Sequence, residues 1–298
     1  MGSARIFSVG SKTYEVTGVQ SEDHYLKGIT KHFEPQFQSF CSKFLRQDSV
    51  ALDIGANIGA TSIILGHYLN KGVVYAVEPG KTIHSLLKGN IERNKLDNIF
   101  TLNCAVSEKS GQLSFVENSA FGHINLGNSS EDLSTNVVAA YSMDDLVGNL
   151  KIERLDLVKI DVEGFERQVL DGGIETLRRF NPLIYLEFNS WCMLDHLDSN
   201  PLHFARHLMA TFSNVYRINK KAGARELLEK IESPRTLVHD NIVFNESIDD
   251  LVVSNNTMVI QDGLAKIRQL KETMSARITQ GLSEKTHKLT KWLRSKLG

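Results

Sequence analysis

The 298-residue sequence predicts an α/β fold, a mostly parallel sheet flanked by helices, with an N-terminal β-hairpin and helices before it and a basic helical tail after it. Three observations predict this. From residue 49 onward, short apolar runs alternate with helical patterns. The runs are almost continuously apolar, as strands covered on both faces are. The first run closes on a glycine-rich turn that opens a helix, the arrangement of a ligand-binding βα unit.

Residues 4–9 and 13–19 read as two short strands about the turn signal Gly10-Ser11-Lys12. Residues 22–46 carry a helical pattern broken at Pro35, after which Phe37, Phe40, Cys41, Phe44 and Leu45 share a face. Strand 49–54 (SVALDI) leads through glycine-rich 55–59 into helix 59–70, and strand 73–78 (VVYAVE) into helix 80–95. Strand 98–104 comes next, then a hairpin around Gly111 with arms near 101–107 and 112–117, and a polar loop over 118–135. Strand 155–161 (LDLVKID) runs into helix 164–180, and strand 182–188 (PLIYLEF) follows. Residues 200–212 read as a helix, 214–218 and 237–244 as late strands. The expected division is an N-terminal segment 1–46, an α/β domain 47–245 and an amphipathic helical tail 246–298.

Composition excludes several classes. With 41% hydrophobic and 23% charged residues the chain is neither disordered nor fibrous. No apolar run reaches the roughly 18 residues of a membrane-spanning helix, and the first dozen residues lack a secretory core. Cys41, Cys104 and Cys192 lie far apart with no CxxC pair, so a reducing cytoplasm is the expected compartment. Charge is uneven. Residues 266–298 hold nine Lys/Arg against two Asp/Glu, while the remainder holds 25 against 33. An acidic body argues against a nucleic-acid partner.

Asp53-Ile54-Gly55-Ala56-Asn57-Ile58-Gly59 forms the glycine-rich turn. A helix start offers unpaired N–H groups and a positive dipole end to a phosphate or a carboxylate. Two features favour an amino-acid carboxylate. The spacing is G-x-x-x-G, not the dinucleotide G-x-G-x-x-G. Asp53 at the strand end would repel pyrophosphate and pair with an ammonium. Glu78 ends the second strand, placed to hold both hydroxyls of a ribose. Carboxylate, ammonium and ribose together describe S-adenosylmethionine. Gly80-Lys81-Thr82 mimics a P-loop end, but the pattern requires glycine where Tyr75 stands.

The second motif is Lys159-Ile160-Asp161-Val162-Glu163-Gly164-Phe165-Glu166, which brings Asp161 to the same sheet edge as Asp53 and Glu78. Methyl transfer to a hydroxyl needs a positioned acceptor and a base or metal. Asp161 or Glu163 is a candidate base; Glu163 is equally a carboxylate stabilised at a helix start. Asp161, Glu187 and Asn189 form a candidate oxygen-ligand set for Mg²⁺ or Mn²⁺. His123, in the loop FGHINLGN, is a third candidate base.

On LDIGANIGATS (52–62), AVEP (76–79), CAVSEKSGQLSF (104–115), SMDDL (142–146), LVKIDVEGFERQVLDGG (157–173) and the strand LIYLEF, the sequence resembles the FkbM family of S-adenosylmethionine-dependent methyltransferases over roughly residues 23–220. The resemblance implies a class I, Rossmann-like methyltransferase fold for the 47–245 domain. It also implies O-methylation of a hydroxyl on a sugar or glycan, or on a polyketide or other small molecule. Asp53, Gly55, Asn57, Gly59 and Glu78 fall on the family's cofactor positions, and Asp161 and Glu163 on its DVEG motif. Ala56, Ala105 and Ser107 are further candidates for the cofactor pocket, and Cys104 packs near the adenine. A non-catalytic scaffold keeping the fold is the competing reading; the intact Asp53, glycines and Glu78 speak against it. Methylation of nucleic-acid amino groups is disfavoured because DVEG stands where a [DN]PPY element would.

Two features lie outside these motifs. Trp191 reads as a sugar-stacking or core residue, and the His203/His207 pair at i, i+4 as a solvated face sooner than a metal site. In the tail, Ile260, Leu264, Ile267, Met274 and Ile278, and again Leu289, Trp292, Leu293 and Leu297, recur at helical spacing among lysines and arginines. The expectation is a helix that packs on the chain's own core, joins a homo-oligomer, or lies on a membrane surface. The last would suit a lipid-linked glycan and place a cytoplasmic protein at the membrane periphery.

Overall fold

In a computed structural model of the protein, the described residues are 4–19, 24–117, 122–125, 135–220, 227–269 and 272. Residues 1–257 form one compact unit and 258–298 another. Among the described residues no helix is long and apolar enough to cross a membrane.

The first unit begins with β1 (Ala4–Val9), β2 (Lys12–Thr17), α1 (His24–Gly28) and α2 (Pro35–Phe44). The glycine-rich turn joins β3 (Val50–Ile54) to α3 (Ala60–Tyr68), followed by β4 (Val73–Val77), α4 (Lys81–Arg93) and β5 (Ile99–Leu102). Next come β6 (Ala105–Ser107), β7 (Gly111–Val116), β8 (His123–Asn125), β9 (Thr135–Ser142) and α5 (Met143–Asn149). Then follow β10 (Leu157–Ile160), α6 (Glu166–Asp171), α7 (Ile174–Phe180), β11 (Leu183–Asn189), α8 (Ser190–Leu197) and α9 (Pro201–Thr211). The unit closes with β12 (Asn214–Ile218), β13 (Leu228–Lys230), α10 (Pro234–Phe244) and β14 (Ile248–Ser254).

The described strands form a central sheet in the order β13-β12-β14-β11-β10-β3-β4-β5. Strands β5, β4, β3, β10 and β11 run parallel, and β14 inserts antiparallel between β11 and β12. Strand order reverses between β3 and β10, which opens the crevice where ligands bind at carboxyl strand ends. The parallel core strands are apolar and buried, as in Ala51, Leu52 and Ile54 of β3 and Leu157, Val158 and Ile160 of β10. The N-terminal hairpin is secured by amides. Asn90 and Asn94 of α4 each exchange two hydrogen bonds with the β2 backbone, at Thr17 (2.9 and 3.0 Å) and Glu15 (3.0 and 2.7 Å), so the strand's free edge is satisfied without another strand.

The structure corrects four expectations. The hairpin about Gly111 does not form, because β9 lies between its arms, antiparallel to β7 and parallel to β6 in a separate β6-β9-β7-β8 sheet. Its half-exposed run, NVVAAY, was hidden in a stretch that begins as a polar loop. The 164–180 helix is two helices, divided at Gly172-Gly173; a Cβ on Gly172 would lie 2.0 Å from the Ser107 carbonyl oxygen, so the chain passes there at backbone contact. Residues 237–244 are helical. Ser233 accepts from the N–H groups of Arg235 and Thr236, and Pro234 occupies the first turn, a start signal that outweighs the β-branched side chains. The last sheet strand is β14 instead, beyond the expected boundary at 245. Its Asp249-Asp250 pair disguised it; these acids meet Arg217 (3.2 Å) and Lys220 (2.8 Å). Of the expected tail helices, 257–269 is helical and the segment 273–298 lies outside the described residues.

Candidate active site

At the switch point lies a cavity of about 340 Å³. One end is formed by the β3 turn, β4 and the small sheet, and the other by the ends of β10, β11 and α1. Its size and mixed lining are those of a small-molecule site.

The turn after β3 is shaped by its glycines. Gly55 has φ +80°, and a Cβ there would come within 1.8 Å of the Asp161 carbonyl oxygen. Gly59, at φ +94°, lies 2.6 Å by the same measure from the Leu87 side chain. Both glycines admit close protein neighbours, and Gly55 also lines the cavity, as the motif suggested. Asn57 lines the cavity, while Ala56 is buried behind it. Glu78 Oε2 accepts from the Asn57 N–H (3.0 Å) and Oε1 from the Gly80 N–H (2.9 Å). Burial pushes its carboxyl up to about 7 against those hydrogen bonds, with help from Glu117 and Asp53. Ile83, Cys104, Ala105 and Phe115 supply an apolar wall beside it. Ser107 is buried without lining the cavity, its carbonyl facing Gly172.

Asp53 departs from expectation. It is fully buried and does not line the cavity. Its Oδ2 accepts from Thr61 (3.1 Å) and Ser62 (2.6 Å), and Oδ1 lies 3.4 Å from Lys159 Nζ. Oδ2 is engaged by Thr61 and Ser62 and Oδ1 faces Lys159, so in this arrangement Asp53 is coupled to Lys159 and to α3.

Lys159 is the residue the motif reading passed over. It pairs across the sheet with Asp53, lines the cavity, and lies 3.2 Å from Asp161 Oδ2. Burial alone would strip its proton; Asp161 and Asp53 outweigh that and hold the ammonium charged. A lysine at the centre of the apolar strand LVKI was the available signal.

After β10 the chain turns through two left-handed residues, Glu163 (φ +53°) and Gly164 (φ +98°). Non-glycine residues adopt this conformation at a cost, a mark of functional turns. Glu166 braces the turn, its Oε1 accepting from the N–H groups of Val162 and Gly164 at 3.2 Å each. The result aims Glu163 into the cavity, where it accepts from Cys192 Sγ at 3.0 Å. Burial and the neighbouring Asp161 raise the Glu163 carboxyl, and burial with Asp161 and Glu163 raises Glu187 well above the usual range. His123 of β8 lines the cavity and stacks on His196 of α8 with ring centroids 4.0 Å apart. His207 is 3.4 Å from Asp171 and stacks on Phe204, a structural placement.

The candidate metal ligands come together in the cavity, each with protein partners of its own. Asp161, Glu187 and Asn189 all line the cavity, but the Asn189 amide is committed. Its Oδ1 caps α8 by accepting from the Cys192 N–H (3.1 Å), and its Nδ2 donates to Glu187 (3.1 Å). Lys159 occupies Asp161 in place of a cation. Among the described residues no group of three His, Cys, Asp or Glu side chains is arranged to hold a metal.

The reversed strand order, the antiparallel β14 between β11 and β12, and a cavity between a glycine turn and acidic strand ends define a class I methyltransferase fold. Residues 53–217, more than half of the chain, match the Methyltransferase FkbM domain, and the chain belongs to that family. Over 138 residues it is 30% identical to the hexuronic acid methyltransferase AglP of Haloferax volcanii, covering 46% of this chain and 55% of AglP. Over 160 residues it is 25% identical to the 2-O-methyltransferase NoeI of Sinorhizobium fredii, covering 48% of this chain and 65% of NoeI. The chain thus spans between about half and two thirds of these relatives. A solved FkbM methyltransferase from Methylobacillus flagellatus aligns at 13% identity and a TM-score of 0.43, over 70% of this chain and 44% of that one.

Proposed function

We propose that the protein is an S-adenosylmethionine-dependent O-methyltransferase acting on a hydroxyl of a sugar or glycan. The observation that carries this reading is one continuous cavity with Glu78 beside an apolar wall at one end and Asp161, Glu163 and Lys159 at the other. Two FkbM-type relatives named as sugar-acid and 2-O-methyltransferases support the acceptor class.

When bound, S-adenosylmethionine supplies an electrophilic methyl group on a sulfonium. Glu78 would accept the ribose hydroxyls, Asn57 and the α3 start would receive the amino-acid end, and Ile83, Cys104 and Ala105 would flank the adenine. Asp161, fixed by Lys159, would hold the acceptor by accepting from a hydroxyl next to the reacting one and so aim the reacting oxygen. Glu163, whose proton affinity burial and Asp161 raise, would take the hydroxyl proton as the oxygen gains the methyl group, leaving the methyl ether, S-adenosylhomocysteine and protonated Glu163. His123, on the small sheet, covers the reacting atoms. No step here is routed through a metal.

Calorimetry with S-adenosylhomocysteine tests the cofactor half. Glu78→Ala is expected to weaken binding by about 1–3 kcal/mol, the scale of lost charged hydrogen bonds. Unchanged affinity in the folded variant would refute the assignment of Glu78.

A further inference from the structure

We infer that the acceptor carries an uncharged alkyl or aromatic group beside its sugar, and that an apolar shelf at the cavity mouth receives this group. The inference rests on the sugar O-methyltransferase reading of the same cavity and names its acceptor more narrowly.

The shelf begins inside the cavity. Ile248, the first residue of β14, lines the cavity and stands directly across from Asn189 of β11, at the acceptor end. It is 39% exposed, and among the described residues it is the one lining residue that is exposed to solvent. Ile248 therefore marks the place where the cavity wall turns outward. On one side, the Ser190 N–H donates to the Ser247 carbonyl at 3.0 Å, which sets the start of α8 beside Ile248. Cys192 lines the cavity, while its neighbours Trp191 and Leu194 stand in solvent, Trp191 at 64% exposure. On the other side, the Ser247 N–H donates to the Asn241 carbonyl at 2.9 Å, and Asn241 Nδ2 donates to the Phe188 carbonyl at 3.2 Å. These bonds tie the end of α10 to the end of β11. That end presents Ile242, Val243 and Phe244 in succession, all exposed, Phe244 at 69%. Single apolar side chains on a surface are ordinary; six around one anchored turn that opens into a cavity mark a binding surface.

Continuity with the cavity identifies the occupant. With a sugar hydroxyl at Glu163, whatever is bonded to that sugar leaves past Ile248 and meets the shelf. Five of the six side chains carry no hydrogen-bonding atom. A second sugar would find one stacking face, Trp191, and few partners for its hydroxyls. An anionic membrane surface would meet two exposed acids there, Asp195 of α8 and Glu246 of the turn. An uncharged alkyl chain or aromatic ring needs no polar partner, and it gains by leaving water across the whole shelf.

The test uses the full chain, S-adenosylmethionine, and the methyl, butyl and octyl glycosides of glucose, galactose and mannose, all below their micelle concentrations. The expected result is a kcat/KM that rises at least about tenfold from methyl to octyl, carried by KM. Trp191→Ala and Phe244→Ala should each lower the octyl-to-methyl ratio at least about threefold. Ile6→Ala, an exposed position on β1, should leave that ratio as in wild type. A flat series in the wild-type protein overturns the inference and leaves the methyltransferase reading intact. A rising series that neither shelf variant alters overturns it as well, because the chain then binds elsewhere. A flat series together with a dimer, or with binding to phosphatidylcholine vesicles, that Phe244→Ala abolishes overturns it and gives the face to a second copy or to a membrane. Methyl transfer to none of the glycosides, with S-adenosylhomocysteine still bound, refutes the sugar-acceptor reading and takes the inference with it.

Discussion

The two ends of the cavity are built by opposite means. At the Glu78 end the backbone does the arranging: Glu78 is held by two peptide N–H groups, and Gly55 and Gly59 let the turn pack tightly against β10 and α4. At the Asp161 end, side-chain charges do it: Lys159 bridges Asp53 and Asp161, and Glu163 is carried on a left-handed turn. A backbone-built site is tied to the fold, so damage there appears first as lost stability. A charge-built site can lose its chemistry while the fold persists.

Substitutions at either end test that contrast. The largest effect is expected for Glu163→Gln: turnover falls by about 10²–10⁴-fold, the range for a group acting on a reacting proton, while S-adenosylhomocysteine affinity and the circular dichroism spectrum stay as in wild type. Loss of folding instead would merge the two ends into one structural unit. Gly55→Ala should do the reverse. The added carbon would lie 1.8 Å from the Asp161 carbonyl oxygen on backbone at φ +80°, and denaturant unfolding should show more than about 3 kcal/mol of lost stability.

A third effect is a pH dependence of stability set by Glu166 beneath the turn that carries Glu163. Burial raises its carboxyl from 4.5 to about 8 in the folded protein. The folded state then binds more protons than the unfolded state between those values. Glu166's favourable contribution is complete below about 4.5 and lost as pH rises toward 8, with a slope up to about 1.4 kcal/mol per pH unit. Glu166→Gln keeps an oxygen for the Val162 and Gly164 N–H groups and removes the titration. Its unfolding free energy minus that of wild type should grow from pH 5 to pH 8; a constant difference would rule out a titrating Glu166 as the cause.

Much of this was legible in the sequence because parallel strands declare themselves. Runs such as VALDI and LIYLEF are apolar throughout, and the glycine turn and DVEG mark their carboxyl ends. Asp161, Glu163, Glu78, Asn57 and Ala105 accordingly come together as the motifs implied. What stayed hidden depended on partners far away in the chain. The Asp53 contacts are set by Thr61, Ser62 and a lysine more than 100 residues on, which no local pattern reveals. Asn189 looked like a metal ligand because its helix-capping role depends on α8 starting immediately after it. Strand β14 was missed because its two acids find Arg217 and Lys220 only once the sheet is assembled.

The position of β14 also sets a schedule for synthesis. It fills the gap between β11 and β12, so the edge of β11 has no strand partner on that side until Ser254 has left the ribosome. At about 5–20 residues per second, the interval between completion of β11 and of β14 lasts roughly 3–13 s. During that time a hydrophobic strand edge is open to pairing with the wrong chain. The nascent protein therefore passes through a window of aggregation risk that the finished molecule no longer has, and a factor shielding the β11 edge would be needed only then.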